Sequence, residues 1–429
     1  MRTPTRIGRD AAVAALFGLL AACGPQMVET PPPSPADFPT AQGGEEEPQG
    51  RVEGTARLVR QATTPVYRLY VANESSDNVM RVAFTPGRGA TVEKTIPVGI
   101  MPGDIDGAHG IAVSPADERW YVTVAHGTPY GYLWQFATGS DSLVARTELG
   151  LFPATMGVTP DGSFLLAVNF NLHGDMVPSD VSVVYTKDLT EMARVTTCLM
   201  PHGSRVNAAG TRHYSACMHS DQVVEIDVQE FEVTKRYSVA PGRERPLAPT
   251  NRGERRASGA GGEARAGAEA EGAAGAQPVC SPTWVEPARG RRADHFIYVA
   301  CNKHDEVLEL STEAWRVTRR FPTGSAPYNL ETTADGRWLV ATLKGEQKVA
   351  FFDLDRGEEV ARVATSRPVT HGVVSSPDNR YVFVTNESVG STPGTLDVFD
   401  LRTRERVASV ELGHQSGGID FWEIGRGGR

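Results

Sequence analysis

The sequence predicts an all-β fold, a seven-bladed β-propeller of four-stranded antiparallel blades, and three observations carry that prediction. A short apolar strand ending recurs seven times, as Tyr70-Val71-Ala72-Asn73, Tyr121 to Ala125, Leu166-Ala167-Val168-Asn169, Tyr214 to Cys217, Tyr298 to Cys301, Leu339 to Thr342 and Val384-Thr385-Asn386. A turn precedes six of these endings, at Ser114-Pro115, Thr159 to Gly162, Asn207 to Gly210, Glu286-Pro287, Thr333 to Gly336 and Ser376 to Asp378, spaced by 45, 48, 79, 47 and 43 residues. Finally, each unit supplies four short β-branched or aromatic runs bounded by turn residues, the mark of antiparallel strands. A period of about 40 to 50 residues with four strands is that of a propeller blade, and only a closed ring of them buries both faces of every sheet.

The elements follow in chain order. Residues 1–22 carry Arg2, Arg6 and Arg9, an apolar run from Ala11 to Leu20 and the sequence Leu20-Ala21-Ala22-Cys23. This is the pattern of a secretory signal, too short to span a bilayer as a helix. Residues 23–57 are rich in Pro and Glu, with no apolar periodicity, and read as a disordered tether. Residues 58–429 form the propeller. The first unit begins at its second strand, Arg68 to Asn73. In the next unit, strands a to d fall at Gly110–Val113, Trp120–Val124, Tyr132–Phe136 and Leu143–Glu148. The low-complexity stretch 242–279, dominated by Ala, Gly, Glu and Arg, is read as a disordered insert that accounts for the spacing of 79. The chain ends on an unmatched strand, Ser416 to Trp422, which is expected to join the N-terminal blade, close the ring and remove its edges.

These strand endings resemble those of the YVTN-repeat β-propellers, over about residues 60 to 425. That family includes surface-layer, lactonase-type and reductase propellers, the last resembling the propeller domains of nitrous-oxide and haem nitrite reductases. The Leu-Ala-Ala-Cys-Gly sequence resembles a bacterial lipobox, which implies lipidation at Cys23, a cell-envelope location, membrane attachment through the lipid and, from Gly24, an outer-membrane destination. A formal charge of −9 and the lack of a basic stripe argue against nucleic acid as a partner. A monomer is expected.

The sequence contains no P-loop, dinucleotide fingerprint, metalloprotease helix, haem-attachment motif or nucleophile elbow. Chemistry is therefore sought by position. Eight of the ten histidines fall in the d-to-a or b-to-c loops, which share one face of the ring, as do Cys198, Cys217, Cys280 and Cys301. The residue six before each turn position reads His109, Ala154, His202, Ser281, Tyr328 and His371. Because strand a lines the channel, His109, His202, Tyr328 and His371 are expected to ring its mouth and bind the ligand. A transition metal held by His109, His202 and His371 is the cofactor alternative, and no cofactor is demanded. Three residues on, the register reads Ala112, Gly157, Arg205, Trp284, Glu331 and Val374. Arg205 and Glu331 are charges in an apolar row, either bonded to loop backbone or serving a lactonase-type reaction, with Glu331 or a mouth histidine as base and Arg205 binding an anionic oxygen. In an oxidising compartment the four cysteines allow three pairings. Cys198–Cys217 and Cys280–Cys301 are preferred because each pair brackets an a–b hairpin. The function expected is a binding or scaffold module for a protein, glycan or small molecule, with a lactonase-type hydrolase or a metal/redox propeller as the alternative.

Overall fold

The computed structural model describes residues 64–100, 105–125, 130–248 and 277–426. Cys23, the signal segment, the tether and most of the insert lie outside the described residues. Seven antiparallel sheets form the ring. Their innermost strands are Ser416–Arg426 in blade 1, Ala108–Ser114 in blade 2, Pro153–Val158 in blade 3, Pro201–Val206 in blade 4, Pro282–Pro287 in blade 5, Pro327–Thr332 in blade 6 and Thr370–Ser375 in blade 7. The ring closes as expected. The C-terminal strand pairs antiparallel with Pro65–Asn73, matching Leu69 to Phe421 and Val71 to Ile419, and runs four residues beyond its expected end. At the insert the structure departs from expectation. Arg245–Leu247 form a fifth strand on blade 4, because Arg236 to Ser238 of the outermost strand offer an open edge to pair with.

The core lies between blades. Tyr67, Leu69 and Phe84 of blade 1 pack with Tyr381, Phe383 and Val398 of blade 7 in one buried cluster. Trp120 stacks on Tyr70 of the preceding blade and on Phe136 of its own, at centroid distances of 4.9 and 4.1 Å. The Tyr67 hydroxyl donates to Asp378 at 2.8 Å across the closing junction.

The recurring strand ending has a specific task. Each inner strand bulges near its start, so the ladder of blade 7 skips from Thr370 to Val373 and leaves the Gly372 amide unpaired within its own sheet. The Thr385 hydroxyl accepts from that amide at 2.9 Å and donates to the Gly417 carbonyl of the next blade at 2.7 Å. Thr123 does the same between Gly110 and Ala154, and Thr342 between Asn329 and His371. In blades 2 and 7 the bulge has no room for a side chain: a Cβ on Gly110 would stand 2.2 Å from the Ala154 carbonyl oxygen, and one on Gly372 would stand 2.4 Å from that of Gly417.

The final residue of the same ending pins the loop entering its own blade. Asn73 accepts from the Gly413 amide at 3.2 Å and Asn169 from the Gly150 amide at 3.1 Å. In blades 4 and 5 cysteine occupies that position, and the pin is covalent. The disulfides are Cys198–Cys217 and Cys280–Cys301, the preferred pairing. They staple the two blades between which the insert lies.

Candidate functional site

The second residue of each inner strand faces the channel mouth. His109, Ala154, His202, Thr283, Tyr328, His371 and Gly417 hold this register in blades 2 to 7 and then 1. Ser281, expected here for blade 5, is replaced by Thr283. The a–b connection of that blade carries an extra turn at Gly290–Arg292, so Pro287 ends the strand instead of following it. Threonines fix the ring by gripping its own carbonyls. Besides the three already described, Thr155 donates to the His202 carbonyl, and Thr283 to that of Tyr328 at 2.8 Å.

His202 is 2% exposed, and burial pushes its imidazole down to about 3, so the ring is neutral. Its Nδ1 lies 3.1 Å from the Thr283 carbonyl, which can only accept, so Nδ1 carries the proton. Its Nε2, 3.2 Å from the Tyr328 hydroxyl, then accepts from it. Both nitrogens are engaged, and His202 cannot ligate a metal in this arrangement. Phe170 and His109 pack edge-on against the ring at 4.8 and 6.0 Å.

His109 and His371 are held differently. His109 Nδ1 lies 3.1 Å from a Glu74 carboxylate oxygen, which also takes the Gln415 amide at 3.0 Å. His371 Nε2 lies 3.3 Å from Glu387, whose carboxylate also takes Lys344 at 2.8 Å. Burial and the nearby Lys344 charge hold His371 well below the usual histidine range, so it too is neutral. Lys344 in turn sits 4.2 Å above the Tyr328 ring. The expected ring therefore exists, but its three histidines do not converge as one ligand set. Among the described residues no group of three or more His, Cys, Asp or Glu side chains is arranged to hold a metal.

Beneath the mouth lies an axial cavity of about 20 Å³, lined by His109, His371, Asn329, Thr155, Arg205 and Trp284 among others. That is room for about one water. Deeper still is a buried charge cluster that the sequence showed only in part. The fifth position of the inner strands reads Ala112, Gly157, Arg205, Glu286, Glu331, Val374 and Asp420, so Glu286, not Trp284, is the blade 5 member. Glu331 is taken by Arg289 at 2.8 Å and by the Ser375 amide and hydroxyl at 3.0 and 2.7 Å. It is 1% exposed, and its second oxygen lies 3.3 Å from the same Arg289 guanidinium, so the carboxylate is held as an ion pair. Arg205 stacks 4.5 Å over Trp284, and its nearest carboxylate is Glu286 at 3.7 Å. Burial pushes Glu286 up to about 7 and also raises Asp420, which accepts from the Val113 amide at 2.7 Å. Arg205 and Glu331 are thus each paired with another charged residue, Glu286 and Arg289. Alignment on the turn prolines misses Glu286, because it displaces blade 5 by two residues; Asp420 lies on the closing strand, which that alignment does not include. The prolines that open four of the seven inner strands (Pro153, Pro201, Pro282, Pro327) would have placed Glu286 correctly.

Comparisons with known proteins agree with this architecture. The family described as the cytochrome D1 heme domain matches residues 338–426, the stretch that supplies Lys344, His371, Glu387 and the closing strand. No curated protein matches. Among solved structures, a functionally unknown protein from Desulfotomaculum acetoxidans aligns with a TM-score of 0.58 at 14% identity, over 82% of this chain and 98% of its own. Dihydro-heme d1 dehydrogenase NirN aligns at 0.52 and 12%, over 82% and 74%. Kuenenia stuttgartiensis hydrazine synthase aligns at 0.54 and 15%, over 75% and 92%. At these identities the likeness is one of fold.

Proposed function

We propose that this chain is a binding module of the cell envelope, carried by a lipid on Cys23, whose ligand docks over the channel mouth. The observation that carries the reading is the preorganisation of the ring. Four mouth side chains are held by partners that leave no rotamer freedom to lose on binding, and their strands are gripped by threonines. Preorganisation of this kind lowers the entropic cost of docking. Arg205 and Glu331, the candidates for a hydrolase, are ion-paired with Glu286 and Arg289 in the charge cluster below.

The family match favours a tetrapyrrole-related ligand as the second reading. The imidazole posture of His371, with a carboxylate on its outer nitrogen, suits an iron ligand. The space does not, since a cavity of about 20 Å³ admits no macrocycle. A haem therefore does not fit within the channel.

The test is a thermal-shift panel of oligosaccharides, dicarboxylates and porphyrins, the last both iron-loaded and metal-free. One class should raise the melting temperature saturably, with the shift lost in Tyr328→Phe and Lys344→Ala. If no class shifts it, or the shift survives both substitutions, the mouth is not the binding site. An axial-histidine absorption spectrum with the iron porphyrin alone would favour the redox reading.

A further inference from the structure

We propose that a groove between blades 6 and 7, at the end of the ring opposite the mouth, binds an acidic sugar, meaning a hydroxylated ring that bears a carboxylate or a phosphate. This site is separate from the mouth. Trp338, which lines the groove, opens its strand, whereas Lys344 follows the other end of that strand and stands over Tyr328.

The groove arises where a junction between blades is left unfilled. In blades 2 to 5 the turn between the third and fourth strands carries a left-handed residue, Asp141, Leu189, Phe231 and Trp315 in turn. Each of these closes against the preceding blade. Asp141 accepts from the Tyr70 hydroxyl at 2.7 Å, and Leu189 packs in a buried cluster with Tyr121 and Leu133. Phe231 meets Phe164 at a centroid distance of 5.4 Å, and Trp315 meets Tyr237 at 6.1 Å. In blade 7 the same position is Arg404, with φ 61°. Its guanidinium stands 5.6 Å from the centre of the half-buried Trp338 ring of blade 6. A long cation in place of a compact plug leaves a groove of about 520 Å³, the size of a small-molecule site.

The lining selects the ligand. Arg337, Arg356 and Arg404 face the groove, and their donors are underused. Among the described residues no carboxylate or carbonyl takes the Arg404 side chain. Arg337 is 4.0 Å from its nearest carboxylate oxygen, on Asp353, and the bond from Arg356 to Glu358 is 3.5 Å long. A guanidinium fork matches a carboxylate or phosphate, so an anionic group is called for. Trp338 pairs across the sheet with Asp353, and Asp353 with Glu358, which puts an aromatic ring and two carboxylates side by side. A bare anion would be repelled by those carboxylates, whereas hydroxyl groups donate to them. Trp338 and Val360 supply apolar surface for the carbon-bound hydrogens of a ring. A sugar acid or sugar phosphate offers the anion, the hydroxyls and the apolar edge together.

The experiment titrates the full chain by calorimetry with glucuronate, glucose 6-phosphate, glucose, inorganic phosphate and an acidic dipeptide. One of the two acidic sugars should bind saturably and about tenfold more tightly than glucose or phosphate, and which of them is tighter identifies the anionic group. Arg404→Ala and Arg337→Ala should each weaken that binding about tenfold, as expected for losing a charge-assisted bond. Arg404→Lys should restore only part of it, because an ammonium lacks the fork. Arg402→Ala, on the same turn but outside the groove, should change nothing, and neither should Tyr328→Phe at the mouth. The assignment is overturned if neither acidic sugar binds, or if both alanine variants at Arg404 and Arg337 bind as the parent does. Glucose, phosphate or the dipeptide binding as tightly as the acidic sugars overturns it too. Binding lost in Tyr328→Phe would put the sugar at the mouth and remove the groove alone.

Discussion

Replacing Thr385 with valine tests whether the recurring threonine is what clips one blade to the next. The side chain is fully buried at the junction between the last blade and the first. Valine keeps its shape and removes one hydroxyl, which orphans the Gly372 amide and the Gly417 carbonyl together. Each unsatisfied buried group costs about 1–3 kcal/mol. The added methyl returns about 0.8 kcal/mol of burial. A net loss of about 1–5 kcal/mol is expected, read as a lower urea midpoint with an unchanged slope. Thr385→Ser keeps the hydroxyl and loses only a methyl, so it should cost about 1 kcal/mol. The clip is refuted if the valine variant loses less than about 1 kcal/mol, or if serine is as damaging as valine.

Three further outcomes follow from the structure. Ending the chain at His414 removes the strand that pairs with Pro65–Asn73 and bares Tyr67, Leu69 and Val71; cooperative unfolding should disappear, and a retained parental melting transition would show that closure does not depend on this strand. Glu286, raised to about 7 from 4.5, binds its proton more tightly folded than unfolded. Its stabilising protonation is complete below about pH 4.5 and lost as pH rises through about 7, so Glu286→Gln should gain up to about 3 kcal/mol at pH 8 and little at pH 5; equal effects at both pH values in urea titrations would contradict this. His202 and His213 behave oppositely. Burial depresses each to about 3 from 6.5, so their contribution is present above pH 6.5 and lost as pH falls towards 3. Measured in the Glu286→Gln background, stability should fall by about 2 kcal/mol per imidazole between pH 7 and pH 5, and His213→Phe should remove one such increment.

The sequence by itself determined what is local and repeated. A Pro, Asp or Gly turn, two apolar strands and a Thr-Asn or Cys ending recur often enough to count seven blades, and the unmatched Ser416–Trp422 strand shows how they close. The disulfides were legible for the same reason, since each joins the two ends of one hairpin. Only the tertiary structure decided the site, because its contacts link blades far apart in the chain. Thr283 meets His202 across 81 residues, Tyr328 meets His202 across 126, and Val113 meets Asp420 across 307. One longer turn at Gly290–Arg292 moved the blade 5 register by two residues and exchanged Trp284 for Glu286 in the channel. A histidine's place at the mouth can be read from the repeat. Which of its nitrogens is free depends on the carbonyl or carboxylate that the neighbouring blades bring to it, and that is fixed only once the ring has closed.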